Sequence, residues 1–171
     1  MGSNNQEIKK ITANGISFAY IEKGEGPLVL CLHGFPDTAY SFEYIVTQLG
    51  QSGYRAVAPF MRGYFPTGLA EDGDYSVLAL ANDLLALVEA CGEEKAYVIG
   101  HDWGGFATYT AANMAPEKFR RIVIICVPHM HCPALSLTQL LKSWYVFFFQ
   151  LPWLPEKRVA KKNYAFIDRL Y

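Results

Sequence analysis

The sequence has almost no net charge, few cysteines and no long hydrophobic run. Its 15 basic and 16 acidic side chains give a formal net charge of −1, so it lacks the positive surface that nucleic acid or an anionic membrane would attract. No apolar run reaches the roughly 18 residues of a membrane span, and the polar segment 1–6 does not resemble a signal peptide. These absences predict a cytoplasmic protein without a nucleic-acid or membrane partner.

The four cysteines, Cys31, Cys91, Cys126 and Cys132, show no CxxC or finger-like spacing. Three of them lie in or beside apolar runs, which predicts buried free thiols in a reducing compartment. The segment 129–132 (His-Met-His-Cys) has the residue types of a metal site, but its spacing fits no strong ligand pattern. We therefore expect a polar loop there, with no metal and no cofactor.

The residues that are abundant predict a globular chain with an apolar pocket or surface. A chain of 171 residues, 51% of them apolar, buries about 70% of its unfolded surface. The 11 Tyr, 11 Phe and 3 Trp crowd towards the C-terminal end.

Strand and helix signals alternate along the chain, which predicts an α/β fold with a mostly parallel sheet flanked by helices. Asn14-Gly15 indicates a type I′ turn and therefore an N-terminal antiparallel hairpin. The predicted strands are 7–12, 16–22, 28–32, 55–58, 96–99 and a buried strand at 122–127. The predicted helices are 41–51, 76–91, 103–115, 135–149 and 155–171. The pattern changes after Pro128, and we place a boundary between 1–132 and 133–171.

Residues 100–105 (Gly-His-Asp-Trp-Gly-Gly) stand between a predicted strand and a predicted helix. Small residues flank a central Asp102, as in the nucleophile elbow, where a tight turn presents a nucleophile beside a helix N-terminus. A dinucleotide-binding loop is excluded because GxGxxG is absent. The alternative is an ordinary helix-capping aspartate.

A carboxylate nucleophile restricts the chemistry. Attack by Asp102 on an acyl group would give a reactive anhydride, whereas attack on an sp3 carbon gives an ester that water can hydrolyse. Asp102 therefore indicates carbon–oxygen or carbon–halogen displacement.

Residues 33–37 (His-Gly-Phe-Pro-Asp) follow the first buried strand. We expect the amide of Phe35 to form an oxyanion hole with the amide of Trp103, the residue after the nucleophile.

Together, segments 33–37, 59–64 (Pro-Phe-Met-Arg-Gly-Tyr) and 100–105 resemble the α/β-hydrolase superfamily, and within it the epoxide hydrolase and haloalkane dehalogenase branch. The resemblance covers residues 7 to about 155. It implies the α/β-hydrolase fold, Asp102 as nucleophile, Phe35 and Trp103 as oxyanion donors, and a cis Phe35-Pro36 peptide. The substrate-binding residues that it implies are His33, Pro36, Trp103, Trp144 and Phe148.

Residues 144–152 resemble the first helix of the epoxide hydrolase cap, in which a tyrosine donates a proton to the epoxide oxygen. Tyr145 matches that tyrosine, and an alkoxide leaving group needs an acid where a halide does not. The alternative is that this aromatic helix only packs within a cap. Dehalogenases also need a second halide donor, which the Phe35 side chain does not offer.

The resemblance also implies a catalytic His and an orienting acid late in the chain. None of the histidines, His33, His101, His129 and His131, matches that position, so the chain resembles the N-terminal part of an epoxide hydrolase with impaired turnover.

Residues 133–171 would be the first part of a helical cap. A small apolar epoxide is the expected substrate. The alternatives are a haloalkane substrate, or a protein that binds a small ligand without catalysis. An open strand edge at 122–127 further predicts a homo-oligomer or a complementing C-terminal fragment.

Overall fold

A six-stranded mixed sheet organises the first part of the chain. The computed structural model describes residues 7–129, 141, 143–161 and 164–167. The strands are β1 (Lys9–Ala13), β2 (Ile16–Lys23), β3 (Leu28–Leu32), β4 (Arg55–Pro59), β5 (Ala96–His101) and β6 (Phe119–Ile125). Their order is β1-β2-β4-β3-β5-β6. The four strands β4, β3, β5 and β6 run parallel, while β1 and β2 are antiparallel, which confirms the predicted α/β fold.

The turn between β1 and β2 has the conformation that its sequence predicts. Asn14 and Gly15 both have positive φ, at 46° and 73°. Two successive positive φ values define the type I′ turn, whose twist suits a two-residue hairpin.

The helices that flank the sheet are α1 (Glu43–Gln51), α2 (Val77–Ala90) and α3 (Trp103–Met114), and a single 3-10 turn, Ala39–Phe42, precedes α1. Helix α2 begins as predicted, because the Ser76 hydroxyl accepts a hydrogen bond from the Ala79 amide at 3.2 Å and caps the first turn. None of the helices in the described part of the chain is long and apolar enough to cross a bilayer.

Strand β3 lies at the centre of the sheet, and all five of its residues are buried. Leu28, Leu30 and Leu32 pack with α2 and α3 on one face. Val29 and Cys31 pack on the opposite face, together with Val46 of α1. The two-residue alternation of a strand therefore divides one apolar run between two cores.

Strand β6 differs from the prediction of a buried strand at 122–127. It begins at Phe119, ends at Ile125 and has no buried residue, because among the strands that the structure describes it is the last of the sheet and pairs with β5 alone. Helix α1 covers β2 and β4, so Val123 and Ile125 remain 53% and 36% exposed.

The cysteines follow the same distinction between centre and edge. Cys31 and Cys91 are buried free thiols, as predicted, and burial raises the pKa of Cys31 to about 12. The prediction is wrong for Cys126, which is exposed since it follows the edge strand β6. Cys132 lies outside the described residues.

The chain divides into two compact units, residues 1–127 and 128–171. The second unit contains the short helices α4 (Trp144–Phe148) and α5 (Leu154–Val159). The predicted boundary at 132–133 and the first part of the predicted helix 135–149 lie outside the described residues. The predicted helix 155–171 is wrong in its length: α5 ends at Val159, and Tyr164 has a φ of 62°, which an α-helix does not accommodate.

A buried ion pair fastens the loop after β4 to α2. The Arg62 guanidinium donates from Nε and Nη2 to both carboxylate oxygens of Asp83, each at 2.6 Å. Arg62 also donates to the carbonyl of Asp74, and Asn14 donates to Asp83 at 2.8 Å. Both charged side chains are almost fully buried, so the charge of each offsets the cost of burying the other.

We predict that Asp83→Ala lowers the free energy of unfolding by about 3 kcal/mol, because it leaves the Arg62 charge buried and uncompensated. Urea denaturation followed by circular dichroism measures the change. The matched control is Glu89→Ala, which removes the exposed partner of Lys118 and should cost less than about 0.5 kcal/mol. Equal losses in the two variants would contradict a structural role for the buried pair.

Candidate active site

Asp102 occupies a sharp turn between β5, which ends at His101, and α3, which begins at Trp103. Its backbone has φ 51° and ψ −118°, a conformation that is strained for a residue with a side chain. The Gly105 and Phe106 amides donate to the Asp102 carbonyl at 2.9 and 3.1 Å. These hydrogen bonds hold the strained turn and present the carboxylate at its tip, as a nucleophile elbow does.

Two glycines allow the chain to approach this turn closely. A Cβ atom on Gly104 would lie 2.2 Å from the Leu32 carbonyl oxygen, and a Cβ atom on Gly34 would lie 2.3 Å from Asp102 Oδ1. Any side chain at these positions would therefore push α3 from β3, or the loop after β3 from the carboxylate.

The loop after β3 brings a backbone donor to the carboxylate. The Phe35 amide donates to Asp102 Oδ1 at 2.9 Å, and the Phe35-Pro36 peptide is cis, as the resemblance implied. The Trp103 amide, first in α3, has no acceptor within the helix, and the N-terminal end of α3 favours negative charge. The Phe35 amide thus contacts the Asp102 side chain from the loop, and the Trp103 amide is the first of the helix that follows Asp102. The role of both amides as oxyanion donors stays a prediction.

The two oxygens of the Asp102 carboxylate are not equivalent. Oδ1 accepts from Phe35, whereas no residue in the described ranges donates to Oδ2. Within the described part of the chain, the two oxygens therefore differ in their contacts with the protein.

His33 lies beneath the loop, fully buried. Its Nε2 accepts from the Met61 amide at 3.1 Å, which leaves Nδ1–H to donate to the Gly34 carbonyl at 3.0 Å. Burial lowers the pKa of His33, which favours this neutral form. Both ring nitrogens are used within the protein, so these contacts support a role in positioning the loop, and the predicted contact with substrate stays a prediction.

A second histidine approaches the loop from β5. His101 Nδ1 lies 3.5 Å from Asp37 Oδ2, and both side chains are about one quarter exposed. None of the sequence motifs assigns a catalytic role to His101 or to Asp37. The sequence signal for this contact is that Asp37 ends the segment 33–37 and His101 directly precedes Asp102 in the segment 100–105.

The remaining predicted residues lie on exposed or half-buried surfaces. Pro36 is half-buried, and the Trp103 ring is 42% exposed and packs against Phe106. In the second unit, Trp144 and Tyr145 are exposed on α4, and the Phe148 ring packs against Trp144. Their roles toward a substrate stay predictions.

The described residues contain no group of three or more His, Cys, Asp or Glu that could hold a metal ion. His129 belongs to this part of the chain, whereas His131 and Cys132 of the same sequence cluster lie outside it.

Comparison with known proteins places this geometry in a family. Residues 27–164 match the α/β hydrolase fold family. The AB hydrolase superfamily protein YfhM of Bacillus subtilis is 36% identical over 166 residues, which are 93% of this chain and 58% of that protein. Human epoxide hydrolase 4 is 35% identical over 169 residues, 95% of this chain and 46% of the human protein.

Solved structures give the same result. The crystal structure of an epoxide hydrolase from Vigna radiata superposes with a TM-score of 0.81 at 33% identity, covering 95% of this chain and 55% of that one. A laboratory-evolved variant of potato epoxide hydrolase superposes with a TM-score of 0.77 at 36% identity, covering 90% and 52%.

The chain therefore spans about half the length of these relatives. With a carboxylate at the strand–helix elbow, an amide donor on the loop after β3 and a match over residues 27–164, the chain belongs to the α/β hydrolase fold family.

Proposed function

We propose that Asp102 opens a small apolar epoxide and forms a covalent ester with it. The observation that carries this proposal is the Asp102 carboxylate at the elbow, with Oδ1 accepting from the Phe35 amide at 2.9 Å. The names of similar proteins, among them human epoxide hydrolase 4, support an epoxide as the electrophile. Free buried thiols at Cys31 and Cys91 support a reducing, cytoplasmic setting.

In the first step Oδ2 attacks one epoxide carbon. The new carbon–oxygen bond forms as the ring carbon–oxygen bond breaks, and the electron pair of that bond passes to the ring oxygen. The Phe35 amide keeps Oδ1 out of the attack and orients the carboxylate. Oδ1 then becomes the carbonyl oxygen of the ester.

Tyr145 is proposed to protonate the ring oxygen. An alkoxide is a strong base, and ring opening is faster when a phenol donates its proton as the bond breaks. Residues 133–171 would then form the first part of a helical cap. The substrate-binding residues that the resemblance implies, Pro36, Trp103, Trp144 and Phe148, are proposed to contact the substrate, with His33 supporting the loop.

In the second step water attacks the ester carbonyl. The negative charge that develops on Oδ1 would be stabilised by the amides of Phe35 and Trp103. As the tetrahedral intermediate collapses, the bond between the Asp102 carboxyl carbon and the substrate oxygen breaks, and that oxygen takes up the proton removed from the water, which completes the diol. The proton that the restored Asp102 carboxyl releases returns to the Tyr145 phenolate. A base must take a proton from that water. The family's late histidine and acid have no counterpart among residues 1–171, so we propose that the ester accumulates in this chain alone.

Incubating residues 1–171 with a reactive aryl epoxide should add the mass of one epoxide to the protein. Intact-mass spectrometry measures the adduct, and Asp102→Asn, which keeps the side-chain volume, should abolish it. Both proteins should carry Cys126→Ser, because the exposed Cys126 thiol reacts with epoxides without any active site.

Absence of an adduct in a folded sample would contradict the proposal. Apolar ligand binding that is reversible and survives Asp102→Asn would favour a binding protein. Halide release from a haloalkane without reaction with epoxides would favour dehalogenase chemistry.

Gly34→Ala should slow adduct formation by about 100-fold, the cost expected of displacing a reacting group by about 1 Å. Its Cβ atom would lie 2.3 Å from Asp102 Oδ1 and would force the loop and the carboxylate apart. Gly68→Ala is the matched control, since a Cβ atom there meets nothing within 4 Å. The same rate in both alanine variants, measured by intact mass against time, would argue against close loop contact as a requirement.

We also propose that the β6 edge and its exposed face at Val123 and Ile125 bind a second polypeptide, either another copy of the chain or a complementing C-terminal fragment. An open strand edge beside apolar side chains favours pairing with another chain.

Residues 1–171 alone should therefore be oligomeric or poorly soluble, and Val123→Lys should raise the monomer fraction, because a lysine on an edge strand opposes pairing. Light scattering after size-exclusion chromatography measures this. The exposed position Leu78 of α2 supplies the control Leu78→Lys, which should change nothing. A monodisperse wild-type monomer with a cooperative thermal transition would contradict the proposal.

A further inference from the structure

The pairing of β2 with β4 changes at the point where β4 ends. Tyr20 and Pro59 form the last regular pair, so Ala19 and Phe60 stand opposite each other next. In a hydrogen-bonded antiparallel pair, the two opposite residues exchange both of their backbone hydrogen bonds. Here the Phe60 amide donates to the Ala19 carbonyl at 2.9 Å, whereas the Ala19 amide donates to a side chain instead.

That side chain is Thr67, whose hydroxyl lies between the two strands. It accepts from the Ala19 amide at 2.9 Å and donates to the Phe60 carbonyl at 2.7 Å. All three residues are buried, so removal of the hydroxyl would leave a buried donor and a buried acceptor unsatisfied. The chain after β4 therefore separates from β2 at Phe60, with one hydroxyl group filling the gap.

The residues that follow Phe60 contact the buried ring of His33. The Met61 amide donates to His33 Nε2 at 3.1 Å. The Tyr64 ring packs edge-on against the His33 ring, with centroids 4.6 Å apart and planes at 85°. Two contacts from the loop after β4 thus fix this histidine.

His33 in turn contacts the peptide group that carries the Phe35 amide. Because the Met61 amide occupies Nε2, the ring proton is on Nδ1, which donates to the Gly34 carbonyl at 3.0 Å. That carbonyl and the Phe35 amide belong to one planar peptide group, and the amide donates to Asp102 Oδ1 at 2.9 Å. A rotation of this peptide group would break both hydrogen bonds, so the tautomer of the ring and the orientation of the amide are coupled.

We propose that Thr67 is a positioning residue for the Asp102 carboxylate. Its hydroxyl directs the Met61 amide to His33, and the tautomer that results keeps the Phe35 amide on Oδ1. The inference rests on the proposed function for its effect on rate, but the tautomer and the amide contact can be measured without any reaction.

Thr67→Val removes the hydroxyl and keeps the shape of the side chain. The Ala19 amide and the Phe60 carbonyl can then satisfy each other only if the chain moves towards β2, and that movement withdraws the Met61 amide from His33. Nε2 is then free to carry the ring proton. Thr67→Ser keeps a hydroxyl at the same place and should preserve the Nδ1–H tautomer.

NMR of the chain with isotope-labelled histidine nitrogens distinguishes the two tautomers, in solution or, for an oligomeric sample, in the solid state. Wild-type His33 should carry its proton on Nδ1, and Thr67→Val should show the Nε2–H form as well. Val46→Ala is the control for a general loss of stability, because it leaves a cavity in the core beside α1 and should not move the proton.

A wild-type His33 with its proton on Nε2 would overturn the inference without any variant. An unchanged tautomer in folded Thr67→Val, or the same change in Val46→Ala, would overturn it too. If Thr67→Val does not fold, Thr67→Cys replaces it, since a thiol is a weak donor and a weak acceptor. Thr67→Cys should then show the Nε2–H form that Thr67→Ser lacks, and identical tautomers in these two variants would overturn the inference.

Amide hydrogen exchange of Phe35 measures the contact with Asp102. Relative to the amide of Leu30, which lies in the central strand β3, the protection of Phe35 should fall by about tenfold in Thr67→Val, the effect of one buried hydrogen bond. Thr67→Ser should keep the wild-type protection. Thr47→Val makes the same chemical change on α1, where the Thr47 hydroxyl donates to a helix carbonyl, and should have no effect. Equal protection in wild type and Thr67→Val would overturn the inference.

The rate of adduct formation provides the last readout. It should fall by about tenfold in Thr67→Val and return in Thr67→Ser, after subtraction of the rate in Asp102→Asn. If wild type forms no adduct, the proposed function fails while the tautomer and the exchange data still decide the inference. If wild type reacts and Thr67→Val shares its rate, the inference fails while the proposed function stands.

Discussion

The hydrogen bond from the Phe35 amide to Asp102 Oδ1 is the contact on which the site depends. It requires the loop after β3 and the turn after β5 to approach within 2.9 Å, which they do because Gly34 has no side chain to separate them. The bond also distinguishes the two carboxylate oxygens. Oδ1 is held by a backbone donor, whereas Oδ2 accepts from no residue in the described part of the chain.

The parallel sheet creates this approach. Strands β3 and β5 are hydrogen-bonded neighbours, so their carboxyl ends deliver the loop and the elbow to the same edge, where ligands of open α/β sheets bind. The buried Arg62–Asp83 pair fixes the loop after β4, and Met61 of that loop reaches His33. Packing and buried polar contacts thus hold the Phe35 amide within hydrogen-bond distance of the strained residue Asp102.

Local sequence patterns predicted the turns and caps whose interacting residues are close together in the sequence. The Asn14-Gly15 turn, the Ser76 cap and the elbow at Asp102 follow from short-range chemistry and are confirmed as conformations. The exposure of β6, and of Cys126 after it, depends on which strands pair with β6. An apolar run in the sequence does not show whether the strand that it forms lies at the centre or at the edge of a sheet. The Asp37–His101 contact joins positions 64 residues apart, and no local pattern reports such a pair. The role of Tyr145 as proton donor to the epoxide oxygen rests on the resemblance and stays a prediction.

The central claim is that the Asp102 carboxylate is the nucleophile. Trypsin cleavage after Lys95 and Lys118 would place Asp102 on peptide 96–118 and Cys126 on a different peptide. Fragmentation mass spectrometry of the epoxide-treated chain would therefore locate the added mass to a residue. The account predicts the adduct on Asp102, as an ester that mild base removes. An adduct on His101 or Cys126 with Asp102 unmodified would contradict it.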